Sequence, residues 1–214
     1  MRLRWLLALI PVGAIAVGAA GIAAPDPSRG VEAEVTPLVA RCAFCHGTDG
    51  QSRNPIWPNL AGLDANYVAA QLDGFARGTD GPRRTPHASQ MYGLSRWLDD
   101  EERRAVAAHY AAMPAARLDA DGEPSAGQKF YAEGSAEVAA CAGCHGADAT
   151  GVAELGAPLL AGQQPRYIAH QLRAYAAGTR DDGGSGMAGI AQAMSDDQIA
   201  AVASYLGNTE GTDQ

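Results

Sequence analysis

The pattern of apolar and polar positions along the chain is helical rather than strand-like. No stretch shows the sustained period-two alternation of β-branched residues that is typical of strands. Two segments place apolar and amide side chains at i, i+4, i+5 and i+8, on one helical face: Tyr67, Gln71, Leu72 and Phe75, then Tyr167, Gln171, Leu172 and Tyr175. We expect these faces to pack inward and the fold to be all-α.

Two capping boxes predict where a late helix begins in each half of the chain. Asp99 stands three residues before Glu102, and Ser195 stands three residues before Gln198. In this pattern the first side chain and the Glu or Gln each accept a hydrogen bond from an otherwise unpaired backbone N–H. An apolar run with helical spacing follows each box, so each box predicts a helix start.

The N-terminus carries a different apolar pattern. Arg2 and Arg4 precede residues 5–24, which hold no charge and end in small residues. This order is typical of an export signal, and we expect cleavage of residues 1–24. A retained membrane anchor is the alternative, because these residues approach the roughly 20 that a membrane-spanning helix needs. In either case the working part is expected outside the cytoplasm, in the periplasm.

The rest of the chain contains one unit twice. Three pairs of segments match in order along the chain: CAFCHG from Cys42 with CAGCHG from Cys141, PNLAG from Pro58 with PLLAG from Pro158, and MYGLS from Met91 with MAGIA from Met187. The offsets between the copies stay between 96 and 100 residues. A repeat of this length indicates two copies of one domain.

The register of the repeat sets the expected domain boundaries. The first domain is predicted at 31–113 and the second at 125–208. Residues 114–124 between them contain prolines, a glycine and charges, so we expect an exposed linker.

All four cysteines lie in two Cys-x-x-Cys-His motifs: Cys42, Cys45 and His46, then Cys141, Cys144 and His145. Thiols three residues apart on a helical turn point the same way, and the histidine follows one step later. This is the attachment pattern of c-type haem, in which the thiols form thioethers and the imidazole reaches iron from the proximal side. The sequence therefore predicts two covalently attached haem c groups.

Other uses of the cysteines fit less well. Disulfides do not require His-Gly directly after each pair. A four-cysteine zinc site would join the two pairs, yet 95 residues lie between Cys45 and Cys141, against roughly 15 to 20 in such modules. A thioredoxin-like redox pair would need a βαβ context, which the pattern does not show.

Each iron needs a second axial ligand, and the repeat favours methionine. Met91 and Met187 are matched in register and follow their histidines by 45 and 42 residues. Met194 aligns with Leu98, which indicates a core position, and Met113 has no counterpart. Both domains can therefore supply a methionine to iron.

The remaining histidines do not repeat. We expect structural or surface roles for His87, His109 and His170. His87 stands four residues before Met91, so it could compete for the iron if that loop rearranged.

A proline in each repeat is a candidate partner of the iron-binding histidine. Such a histidine usually donates its other ring N–H to a carbonyl or carboxylate. Pro58 and Pro158 follow their motifs at nearly the same distance, and we expect them to present that carbonyl; a simple loop turn is the alternative. The matched Tyr and Gln side chains of the helical faces could touch haem or the other domain, although ordinary helix packing would also explain them.

The charge balance narrows the choice of partners. Sixteen basic and twenty-four acidic residues give a net charge of −8, which disfavours nucleic acid as a partner. Charge is also uneven, with 8 basic and 10 acidic residues in 32–114 against 5 and 13 in 115–214. We expect the two domains to be steered towards different partners.

On these motifs the chain resembles the dihaem cytochromes c4, two-domain members of the class I cytochrome c superfamily. The segments YVAAQLDGFARGT and YIAHQLRAYAAGT extend the resemblance through most of the chain. It implies two helical haem domains related by pseudo-twofold packing. It also implies His/Met ligation in each, by His46 with Met91 and by His145 with Met187.

The resemblance implies electron transfer from a quinol-oxidising complex of the bc1 type to a terminal oxidase, often of the cbb3 type. Matched methionines argue against an open iron site, so we do not expect an enzyme. The alternative is an electron-accepting cytochrome subunit of a periplasmic dehydrogenase. Membrane contact would come through these redox partners or through a retained N-terminal anchor.

Overall fold

The computed structural model of the chain describes residues 27–78, 86–116, 125–180 and 183–208. The predicted export segment and residues 117–124 of the predicted linker lie outside these ranges.

Helices make up the regular structure of the described residues. In the first half they are α1 Pro27–His46, α2 Ala65–Ala76, α3 Pro86–Ser95 and α4 Asp100–Ala111. In the second half they are α5 Ala126–Glu133, α6 Ala142–His145, α7 Pro165–Ala176, α8 Met187–Ala193 and α9 Asp196–Gly207, with a short 3-10 turn at Ala153–Leu155. The all-α prediction is confirmed.

The sequence repeat is visible in the helices. The pairs α2 and α7, α3 and α8, and α4 and α9 occupy matched positions, and α2 packs on α4 as α7 packs on α9. None of the helices in the described part of the chain is both long and apolar enough to cross a membrane.

The two halves differ in the helical segment that leads into the Cys-x-x-Cys-His motif. α1 runs without a break through Cys42 to His46, whereas the second half divides the same stretch into α5 and the four-residue α6. Gly134 ends α5 with a φ of 71°, a left-handed conformation that glycine adopts without steric cost. A Cβ there would also collide with the carbonyl oxygen of Val138, so the chain turns sharply before the second motif.

Both predicted capping boxes are confirmed. Asp99 Oδ1 accepts from the Glu102 backbone N–H at 2.9 Å, and Glu102 Oε2 accepts from the Asp99 backbone N–H at 2.8 Å. Ser195 and Gln198 make the same reciprocal pair at 3.2 and 2.9 Å. These caps satisfy N-terminal N–H groups of α4 and α9 and fix where each helix begins.

Hydrogen bonds between residues 52–59 and residues 162–164 join the two domains. The Asn59 backbone N–H donates to Gln163 Oε1 at 2.8 Å, and Gln163 Nε2 donates back to the Asn59 carbonyl at 2.9 Å. Asn59 Nδ2 donates to the Gly162 carbonyl, and Gln164 Nε2 donates to the Ser52 carbonyl, both at 2.7 Å. The loop after the first haem motif is therefore tied to the second domain.

Close packing of α5 on α9 depends on a small residue. Gly127 is buried in α5, and a Cβ on it would collide with the carbonyl oxygen of Ala201 in α9. Gly189 in α8 is exposed and has open space around its Cβ position.

We expect Gly127→Ala to lower the midpoint of thermal unfolding, because the added methyl group pushes α5 away from α9. Overpacking of this kind costs about 1–3 kcal/mol. Gly189→Ala is the matched control and is expected to raise stability by about 0.5–1 kcal/mol, since alanine is the better helix former. Circular dichroism melts of the haem-loaded variants measure both changes, and equal midpoints would contradict the close packing.

Candidate haem sites

The first Cys-x-x-Cys-His motif occupies the last turn of α1. Helical spacing of three and four residues puts Cys42, Cys45 and His46 on one face. Cys42 packs against the apolar core and its Sγ donates to the Leu38 carbonyl at 3.4 Å. Phe44, on the opposite side, is 89% exposed. The motif thus presents both thiols and the imidazole to one side and an aromatic ring to solvent.

A hydrogen bond to the loop that contains Pro58 holds the His46 side chain in place. Its side chain is buried, and its Nδ1 lies 2.8 Å from the Pro58 carbonyl oxygen, to which the ring N–H donates. Burial lowers the pKa of the His46 imidazole, and the hydrogen bond to Pro58 opposes this shift only in part. The neutral tautomer with its proton on Nδ1 leaves the Nε2 lone pair available to a metal.

The second site repeats this arrangement. His145 is buried and its Nδ1 lies 2.9 Å from the Pro158 carbonyl oxygen. Burial lowers the pKa of His145 as well, against a smaller upward effect of the Pro158 hydrogen bond. Tyr131, fully buried in α5, donates from its hydroxyl to the Gly146 carbonyl at 2.6 Å, which holds the chain directly after the motif.

Matched backbone hydrogen bonds position the two proline carbonyls. The Gly50 carbonyl accepts from the N–H of Leu60 at 2.8 Å and of Ala61 at 3.3 Å. In the second domain the Ala149 carbonyl accepts from Leu160 at 2.8 Å and from Ala161 at 3.1 Å. Each loop is therefore closed on itself just after its proline, which aims the carbonyl at the histidine.

The two candidate methionines lie on equivalent helices. Met91 is partly buried in α3 and packs against the same core as Cys42. Met187 is the first residue of α8 and is also partly buried. Met113 and Met194, which the repeat disfavours as ligands, pack against the core.

The remaining histidines occupy three different settings. His109 is partly buried in α4, with its ring edge-on to Tyr110 at 5.2 Å. His170 in α7 contacts Gln171 through ring Nδ1 at 3.3 Å. The His87 side chain lies outside the described residues.

The residues present fit a covalently attached haem c in each domain. All four cysteines are free thiols rather than disulfides, and burial raises the pKa of the Cys42 and Cys141 thiols. The Tyr110 hydroxyl is buried near Cys42 and has no hydrogen-bond partner among the described residues. Paired thiols, an imidazole with a free Nε2 and an unsatisfied buried hydroxyl together match a site built around a further group.

Arg180, which was not among the residues predicted from sequence, bridges the two domains. Its guanidinium lies between the domains, with Nη1 2.7 Å from Gln171 Oε1 and Nη2 3.2 Å from the Tyr67 hydroxyl. Of the two uses expected for the Tyr and Gln positions, contact with the other domain is present for Tyr67 and Gln71. The one available signal was that the equivalent position of the first repeat is Asp80, of opposite charge.

Comparison with known proteins supports the haem assignment. A family model for cytochrome c matches residues 34–112 and 125–210. The thiosulfate dehydrogenase electron acceptor of Stutzerimonas stutzeri (strain A1501) is 39% identical over 80% of this chain and 80% of its own length. Cytochrome c4 of Pseudomonas aeruginosa is 36% identical over 78% of this chain and 83% of its own.

A solved structure agrees with the sequence relatives. Reduced recombinant cytochrome c4 from Pseudomonas stutzeri superposes with a TM-score of 0.74 at 30% identity, covering 83% of this chain and 98% of that one. Two covalently attached haem c groups follow, with the four cysteines at the attachment positions. The chain belongs to the cytochrome c family, as a two-domain, dihaem cytochrome of the c4 type.

Proposed function

We propose that the protein is an exported, periplasmic dihaem electron carrier, with His46 and Met91 as axial ligands in the first domain and His145 and Met187 in the second. The observation that supports this most directly is the repeated histidine–proline contact beside a matched pair of thiols. Haem c bound there supplies a one-electron Fe(III)/Fe(II) couple.

The protein's own residues prepare each site. The Pro58 and Pro158 carbonyls hold the imidazole rings in one orientation and increase the basicity of Nε2. The surrounding apolar core excludes water and lowers the local dielectric. Thioether ligation by Met91 and Met187 would favour the reduced state and raise the potential.

The surface of the first domain suits transient docking. Phe44 beside the first motif is 89% exposed, and Trp97 after the Met91 helix is 73% exposed. Arg96 stacks over the Trp97 ring at 4.7 Å. Exposed aromatic and arginine side chains are typical of protein interfaces. Phe44 stands inside the first haem motif, and Arg96 and Trp97 directly follow the helix that carries Met91.

We propose a bc1-type complex as electron donor and a cbb3-type terminal oxidase as acceptor. A second candidate is that the protein accepts electrons from a periplasmic dehydrogenase. It is favoured by the relative named as a thiosulfate dehydrogenase electron acceptor. The same two haem domains can serve either donor, so the donor is settled by reaction rates.

Removing a methionine ligand is expected to change one haem and spare the other. Met91→Ala and Met187→Ala should each halve the weak long-wavelength Met–iron band of the oxidised protein and lower one of its two midpoint potentials. Both should keep two haems per chain in an alkaline pyridine haemochrome assay, because the thioethers remain. Met194→Ala is the control and should leave band and potentials unchanged. A full band in Met187→Ala would rule out that ligand.

Stopped-flow mixing is expected to identify the donor. Under the carrier proposal, quinol with a bc1-type complex reduces both haems rapidly, and membranes containing a cbb3-type oxidase reoxidise them. Because the second domain is the more acidic, the two half-reactions should differ in their dependence on ionic strength. Rapid reduction by thiosulfate with a thiosulfate dehydrogenase, and slow reduction by the bc1-type complex, would instead support the second candidate.

A further inference from the structure

Arg180 occupies a polar cluster between the two domains. Its Nη1 donates to Gln171 Oε1 at 2.7 Å, and its Nη2 donates to the Tyr67 hydroxyl at 3.2 Å and to Gln71 Oε1 at 3.3 Å. The guanidinium also stacks on the Tyr175 ring, 4.5 Å from its centroid. One side chain of the second domain therefore bridges α2 and α7.

The partners of Arg180 come from matched positions of the repeat. Tyr67 and Gln71 on α2 are the counterparts of Tyr167 and Gln171 on α7, and Tyr167 is also close enough to interact with the guanidinium. Arg180 is thus placed between equivalent parts of both haem domains.

Both haem domains contribute residues to this cluster. Tyr67 packs against the core that also contains Cys42 and Met91. Arg180 itself stands in the segment that leads from α7 to Met187 at the start of α8. The guanidinium therefore contacts, in Tyr67, a residue of the core against which Cys42 and Met91 pack, and it precedes Met187 by seven residues in the chain.

The cation has no anionic partner in the described part of the chain. The groups that contact Arg180 among the described residues are amide and phenol oxygens and an aromatic ring, all of them neutral. Its side chain is partly buried, and a guanidinium withdrawn from water is stabilised by a carboxylate. Arg173, in contrast, is exposed and pairs with Asp196 at 2.8 Å.

We propose that Arg180 is a shared cation that binds propionate carboxylates of both haems at the domain interface. The planar guanidinium matches carboxylates in a bidentate geometry. The proposal rests on the two-haem assignment and goes beyond it by giving one residue an effect on both redox centres. The first repeat has Asp80 at the position equivalent to Arg180, so the first domain does not provide a matching arginine there.

An arginine bound to propionates of both haems would place a positive charge near both irons and so stabilise Fe(II) relative to Fe(III). Replacing Arg180 should therefore lower both midpoint potentials. At an effective dielectric constant near 20, removing a positive charge about 10 Å from an iron raises the oxidised-to-reduced ratio at a fixed potential by about tenfold. For a one-electron couple this corresponds to about 59 mV.

The test is a spectroelectrochemical titration of three haem-loaded variants. Arg180→Gln should lower both midpoint potentials, so that the oxidised-to-reduced ratio of each haem at a fixed potential rises about tenfold. Arg180→Lys keeps the charge and should stay close to the wild type. Arg173→Gln removes a surface arginine from α7 and should leave both potentials unchanged.

Two further measurements separate the outcomes. Pyridine haemochrome assays should show two haems per chain in each variant, so a variant with fewer haems would point to the haem assignment rather than to Arg180. If Arg180→Gln and Arg180→Lys lose thermal stability equally while both potentials stay at the wild-type values, Arg180 has only a structural role. A downward shift of one couple alone would overturn the shared role.

Discussion

The hydrogen bond from a buried imidazole to a proline carbonyl organises each half of this protein. It sets the ring orientation and the tautomer of His46 and His145, and so leaves Nε2 as the nitrogen free to bind a metal. The surrounding structure supplies the two ends of this bond. A helical turn brings the histidine, and a loop closed on the Gly50 or Ala149 carbonyl brings the proline.

The two domains repeat this bond but differ in how the loop is supported. In the first domain, Asn59 directly follows Pro58 and is bound by Gln163 and Gly162 of the second domain. The second domain has Leu159 in that place, and its backbone contacts hold the loop. The first haem site is therefore coupled to the domain interface through a single peptide, whereas Leu159 offers no side-chain amide for such a contact.

Much of the local structure was predictable from sequence because it depends on short-range chemistry. The capping boxes at Asp99 and Ser195, the helices at α2 and α7 and the haem motifs involve groups no more than a few turns apart. The break between α5 and α6 was not predicted, because it depends on one left-handed glycine, Gly134. A repeat comparison assumes that both copies fold alike and conceals such a difference.

The amino-acid sequence by itself determined the helical class, the repeat, the two haem attachment motifs and the family. These follow from spacing, since a Cys-x-x-Cys-His motif or a capping box is defined within a few residues. Only the tertiary structure decided that Asn59 joins Gln163 and that Arg180 lies between Tyr67 and Gln171. These contacts join residues 104 and 113 positions apart, and their geometry depends on how two folded domains pack rather than on any local pattern.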